Sequence, residues 1–254
     1  ARQLTGQYNV VIGAKAGDDM KNINNSVAIG YRAGGDADAD LTGSNNTSVG
    51  YGAGINFQGA CVNNTAIGEN AGGSITSGDN NLVLGKDSGT SGSPVTISTG
   101  DNTICLGNNS IAAFYCADDS ISTSDGRDKT DVETFTHGLD FVNQMRPVTY
   151  RWDKRSWYAG DNPNDEEVNS ATTDGSKKRQ AIKLGFIAQE VQTIERQYGY
   201  SEIKDDGSAD TDTELLVDTT TTQLGLQYSR VVPILVKAVQ ELSQQVEELK
   251  AKIN

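Results

Sequence analysis

Apolar residues follow two rhythms along this chain. Over residues 1–110 an apolar residue directly followed by glycine returns six times, as Ile12-Gly13, Ile29-Gly30, Val49-Gly50, Ile67-Gly68, Leu84-Gly85 and Leu106-Gly107, at intervals of 17, 20, 18, 17 and 22 residues. A second glycine follows four positions later in five copies (Gly17, Gly34, Gly54, Gly72 and Gly89), and the sixth copy carries Ile111 there. Asn9, Ser26, Asn46, Asn64, Asn81 and Thr103 precede the apolar triplets. Each unit predicts a strand of about four residues and a turn closed by Asn and Gly, the residues that reach positive φ most readily. So short a strand cannot bury a face alone, but coils stacked on one another can. The expected fold is an all-β repeat, a β-roll or β-solenoid, with the sixth unit as its terminal repeat. Units such as Ser26-Val27-Ala28-Ile29-Gly30 alternate inward and outward positions. Few of these residues are large, so partner chains are expected to complete the apolar interior.

Beyond residue 120 the rhythm changes. Leu139 to Pro147 reads as a short amphipathic helix stopped by proline. Val148 to Trp152 alternates like a strand. Gly185 to Val191 leads into a second helix, and Leu215-Leu216-Val217 reads as a short strand. The polar stretches 160–180 and 201–222 read as exposed arms. In the last segment Val232, Val239, Val246 and Ile253 occupy heptad position a, and Leu235, Leu242 and Leu249 occupy d. Three such heptads predict a coiled coil over 229–254. The domains are thus expected at 1–119, a glycine-rich repeat, and 120–254, an α+β domain ending in a long coiled-coil helix.

Composition narrows the function. Of 254 residues only 35% are hydrophobic and 28 are glycine, thin material for the core of a monomer this size. A net charge of −13 argues against nucleic acid and anionic membrane surfaces as partners. No apolar run has the roughly 20 residues of a membrane span. The chain begins at Ala1 without a methionine or a visible signal peptide, and reads as a piece of a longer protein. Cys61, Cys105 and Cys116 have no metal-binding spacing and read as small buried apolar residues in a reducing compartment. His137 is the sole histidine, which argues against a zinc site and a Ser-His-Asp triad. Asp36, Asp38 and Asp40 lack the glycine and terminal glutamate of a calcium loop and read as a solvated loop. No metal and no cofactor are expected. A glycosidase needs two positioned carboxylates, and no pair stands out. A glycan-binding adhesin would want more exposed aromatics than Tyr31, Tyr51 and Phe57.

At the junction of the two rhythms lies Ser124-Asp125-Gly126-Arg127-Asp128-Lys129. A serine hydroxyl becomes a useful nucleophile when a base takes its proton, and a lysine is that base only when its amine is neutral. Burial or cationic neighbours must therefore lower the lysine pKa from about 10.4. Ser-Lys pairs are a known variant of serine-nucleophile chemistry.

Two resemblances follow. The units Asn25 to Gly34 and Asn64 to Gly72 resemble head repeats of trimeric bacterial adhesins and phage tail fibres. The ordered set Ser124 to Lys129, then Gly138-Leu139 with Arg146-Pro147-Val148 and Tyr150, then Gly185 to Val191, then Tyr228-Ser229 with Pro233, Leu235 and Ala238 to Leu242, resembles a second family. This is the C-terminal intramolecular chaperone and autoprocessing domain of endosialidase-type phage tailspikes and tail fibres, which has a relative in a eukaryotic membrane-tethered transcription factor. The resemblance implies a homotrimer whose C-terminal domain guides the folding of the fibre before it and then cuts itself off. It overrides the dimer preference of β-branched a with leucine d. It implies Ser124 as nucleophile and Lys129 as general base. From proximity alone, Asp125 is expected to orient the loop and Arg127 or backbone amides to stabilise the oxyanion. Attack by Ser124 on the Thr123 carbonyl closes a five-membered ring, so the expected cut lies between Thr123 and Ser124; a cut on the other side of Ser124 stays open. The expected setting is a virion tail fibre made in the bacterial host cytoplasm. Its partners would be upstream fibre segments and a host surface receptor. The alternative is a permanent trimerisation foldon of a receptor-binding fibre that is never cut.

Overall fold

The computed structural model describes residues 6–35, 40–116, 123–160, 163–219 and 223–253. By compactness the chain forms two units, one of Ala1–Ala113 with Trp152–Arg179, the other of Phe114–Arg151 with Gln180–Asn254.

The first unit is a parallel β-solenoid. Strands β1 (Val10–Ile12), β2 (Val27–Ile29), β3 (Thr47–Val49), β4 (Thr65–Ile67), β5 (Leu82–Leu84) and β6 (Ile104–Leu106) form one sheet in sequence order. Each pairs in register with the next, so Ala28, Ser48, Ala66, Val83 and Cys105 stack in one buried row. The strands fall on the six repeats read from the sequence.

The asparagines before the strands are rungs between coils. Asn46 Oδ1 accepts from Asn64 N at 2.9 Å, Asn64 Oδ1 from Asn81 N at 3.0 Å, and Asn81 Oδ1 from Thr103 N at 2.9 Å. Their amide groups donate to Cys61 O, Gly78 O and Gly100 O. Buried polar groups thus pair with buried backbone, as they must away from water. The glycine after each apolar residue is set by its neighbour: Gly30 has φ +130°, and a Cβ there would lie 2.3 Å from Gly50 O.

The chain fills its own solenoid interior, contrary to the expectation that partners complete it. Met20, Ile23, Leu41, Phe57, Ile75 and Ile97 close the side opposite the small strand residues. The uncovered apolar surface lies instead on the outward side of the strands, where Val10, Ile12, Ile67, Ile104 and Leu106 are exposed. Cys61 and Cys105 are buried, but Cys116 is exposed, a correction to the reading of three buried thiols. Burial pushes the Cys61 thiol up to about 11. Asp36 and Asp38 lie outside the described residues, and Asp40 pairs with Lys21 at 2.6 Å.

In the second unit α1 (Leu139–Gln144) packs on the C-terminal helix, and β7 (Val148–Tyr150) begins next. The following helix, α2 (Asp165–Ser170), belongs to Trp152–Arg179 and thus to the first unit. It opens on a capping box, Asn164 accepting from Glu167 N while Glu167 accepts from Asn164 N. The second unit resumes with β8 (Lys183–Gly185), antiparallel to β7, then α3 (Ala188–Gln197). A small hairpin follows, β9 (Val217–Asp218) with β10 (Gly225–Leu226), and then α4 (Val231–Ile253). Phe141, Val191, Leu216, Val217 and Ile234 form its core.

Candidate functional site

Ser124 and Lys129 are brought together by one tight turn. Asp125 enters it extended, Gly126–Asp128 form a single 3-10 turn, and Lys129 leaves extended at φ −116° and ψ 137°. The reversal places Lys129 Nζ 2.7 Å from Ser124 Oγ, to which it donates. Asp125 caps the turn by accepting from Arg127 N at 2.9 Å. Arg127 returns Nε and Nη2 to the same carboxylate, the latter at 2.6 Å. That guanidinium and the Arg127 amide hold the Asp125 carboxyl below its ordinary range, and Asp125 holds Arg127 above its own. Arg127 therefore braces the turn from outside. Thr123 precedes the pair in open chain, and residues 123–129 are all exposed. In this single chain, water surrounds the amine and the hydroxyl.

The other motif residues meet one another in the second unit. Glu241 of α4 accepts from Leu139 N at 2.7 Å, capping α1, and Lys237 lies 3.3 Å from the same carboxylate. The Leu139 amide first, and Lys237 after it, hold Glu241 below the ordinary carboxylate range. Gly138 leaves room for this approach, since a Cβ there would lie 2.4 Å from Ala238 N. Arg146 forks onto Glu190 of α3, its Nε at 3.1 Å. Tyr228 places its hydroxyl against Gly185 and accepts from Phe186 N at 3.1 Å. Glycine, arginine, glutamate and tyrosine in three of the separated stretches thus make one set of contacts.

Helix α4 buries Val231, Ile234 and Ala238 in its own unit. The a and d residues Val232, Leu235, Val239, Leu242, Val246, Leu249 and Ile253 are all exposed. This unpartnered seam runs most of a helix about 35 Å long at 1.5 Å per residue.

Sequence reasoning missed the contacts of Trp152–Arg179 at the sixth coil. Trp157 Nε1 donates to Asn109 O at 3.1 Å, Lys154 Nζ to Asn109 Oδ1 at 3.1 Å, and Arg179 Nη2 to Ser110 O at 3.3 Å. The Arg179 guanidinium also lies 5.1 Å from the centre of the Trp157 ring. Burial first, and the Arg179 charge second, push the Lys154 amine below its ordinary range. Among the described residues no group of three or more His, Cys, Asp or Glu side chains could hold a metal ion, and no helix is long and apolar enough to cross a membrane.

No curated protein matches the chain. Residues 124–200, which open on the serine paired with Lys129 and are preceded by the β-solenoid region, match the peptidase S74 family, the chaperone of endosialidase.

Proposed function

We propose that the chain is the C-terminal part of a phage tail fibre whose last domain, residues 120–254, assembles three copies and then releases itself by self-cleavage at Ser124. The family matched over 124–200 is phage-associated and supports a fibre-chaperone role. The observation that carries the cleavage reading is the 2.7 Å contact between Lys129 Nζ and Ser124 Oγ at the start of that match.

A neutral Lys129 takes the proton of Ser124 Oγ as the oxygen attacks the Thr123 carbonyl through a five-membered ring. The C–N bond breaks, and the proton passes from Lys129 to the leaving Ser124 nitrogen. Thr123 is then esterified to Ser124 Oγ. Water hydrolyses the ester, leaving a Thr123 carboxylate and a free Ser124 hydroxyl. Residues 123–129 are solvent-exposed in one chain, so the low-polarity surroundings that neutralise Lys129 come from neighbouring copies. Cutting thereby waits for assembly.

The exposed heptad seam of α4 and the exposed outward strand residues of the solenoid support oligomerisation, since both are apolar surfaces that a second and third copy would cover. A solenoid depends on pairings between residues 17 to 22 apart, so it profits from chains already held together and in register. Release of the assembling domain then removes the route back and leaves the fibre kinetically stable. The fibre would be built in the bacterial cytoplasm, join upstream segments in the virion and meet a host surface receptor.

A denaturing gel tests the reading. The parent chain gives pieces of 123 and 131 residues (254 − 123 = 131), Ser124→Ala gives one intact band, and Lys129→Ala slows the cut severely. A cut of undiminished rate in Lys129→Ala, or in a chain kept monomeric by Leu242→Asp and Leu249→Asp, overturns it. A permanent foldon, consistent with the exposure of Ser124 and Lys129, predicts one intact band from the parent chain.

A further inference from the structure

In the inner coils of the solenoid, the carbonyl three residues after the closing glycine accepts from the preceding coil. Ala33, Ala53, Ala71 and Ser88 accept from Gly17, Gly34, Gly54 and Gly72 in turn. The series stops at the sixth coil. There the equivalent carbonyl, Ser110 O, accepts from Arg179, and the neighbouring Asn109 O accepts from Trp157. Lys154 takes the Asn109 side chain, whose amide group donates to Ser93 O. Asp165, in the first turn of α2, accepts from Thr96 Oγ1 at 2.8 Å. Trp152–Arg179 thus bonds the main-chain carbonyls of the sixth coil in place of a neighbouring coil.

This cap lies after Ser124 in the chain, and the coils it caps lie before it. We propose that the 152–179 arm is a detachable end-cap that stays docked on the sixth coil once the chain is severed, holding the released domain on the fibre without a covalent link. The proposal rests on the self-cleavage reading for its role, but the docking itself stands on the contacts above. Those contacts are suited to later release. They are polar or cationic, and Pro163 and Val168 are the arm's two buried apolar side chains among the described residues. The arm also leaves an open cleft of about 930 Å³, lined by Tyr51, Asn70, Asp87, Asn108, Trp157 and Arg179. Such polar interfaces are characteristic of transient rather than permanent association.

The test separates docking from self-cleavage. In the 254-residue chain carrying Ser124→Ala, residues 117–122 are replaced by the recognition sequence of an added site-specific protease, so the cut is made from outside. At low salt the two pieces are expected to co-elute on size exclusion after cutting, and to separate as salt is raised. Trp157→Ala with Arg179→Ala should speed their separation roughly tenfold or more. Hydrogen exchange on the protein without the arm substitutions supplies a second readout, in which the amides of 152–179 stay as slow after the cut as before it. Pieces that part at once at low salt, arm amides that exchange freely after the cut, or a double variant that holds together as well as its parent would each overturn the proposal. A parent chain with Ser124 intact that never cuts itself would refute the self-cleavage reading alone.

Discussion

The two units meet the same shortage of large apolar residues in opposite ways. The solenoid repeats one solution six times: a small residue inward, an asparagine or hydroxyl rung, a glycine against the next coil's backbone. The second unit uses each contact once, Arg146 on Glu190, Tyr228 against Gly185, Glu241 on the end of α1. In the repeat, backbone presses on backbone and nothing can move aside. In the second unit Gly138 also faces backbone, at Ala238 N, but Gly185 faces the Tyr228 hydroxyl, which can turn away. The same substitution should therefore be far more damaging at a closing glycine of the solenoid than at Gly185.

The largest effect is expected from Gly50→Ala. Gly50 has φ +138°, and its Cβ would lie 2.4 Å from Gly68 O, which belongs to the next coil's backbone. Strain in that φ region and overpacking each cost about 1–3 kcal/mol, so a loss of about 3 kcal/mol or more is expected in thermal unfolding of the solenoid. Asn64→Ala comes next. It removes the acceptor of Asn81 N and the donor to Gly78 O, both buried, at about 1–3 kcal/mol for each group left unpaired. The loss should appear in the first unit's transition and leave the second unit's in place.

Gly185→Ala sharpens the contrast. Its Cβ would lie 2.3 Å from the Tyr228 hydroxyl, the far end of a side chain that can swing out. The variant loses the bond from Phe186 N and about 1 kcal/mol with it. Adding Tyr228→Phe should recover part of that loss by removing the colliding oxygen. Equal destabilisation by Gly50→Ala and Gly185→Ala would break the distinction between the two units.

What was legible in the sequence follows the same division. The six strands could be placed because every copy repeats its own punctuation, and the α4 seam because seven a and d residues keep one register. Which side of the strands lacked cover was not legible. Ala28, Ser48 and Ala66 look like gaps to be filled by partners until Phe57 and Met20 are seen to close the coil from the opposite side. The role of 152–179 was hidden for a different reason: Trp157 and Arg179 bond the main-chain carbonyls of Asn109 and Ser110, which every residue carries and no sequence marks. One signal there was readable, the Asn164-x-x-Glu167 pair that starts α2. The Ser124–Lys129 pairing was legible because a single turn of Gly126–Asp128 is enough to join the two side chains.

The smallest expected effect concerns Glu195 of α3, the one acidic side chain fully buried among the described residues of the second unit. Its Oε1 accepts from Leu216 N and Val217 N, which ties α3 to the β9 hairpin, while Oε2 is buried without a partner. Burial is the larger influence and pushes its pKa up despite the two amides, which act to lower it. The folded state therefore binds this proton more tightly than the unfolded chain. The contribution is fully present below the unfolded value of about 4.3 and is lost as pH rises from there through the folded value. Asp125 and Glu241, held low, act with the opposite sign, so the difference between two proteins is the informative quantity. Glu195→Gln keeps an oxygen for Leu216 and Val217 and removes the charge. Urea midpoints of the second unit, measured from pH 4 to 8, should show the variant gaining on its parent as pH rises. A constant difference across that range would mean that Glu195 does not titrate differently between the folded and unfolded states, and that its hold on the hairpin is a matter of hydrogen bonds alone.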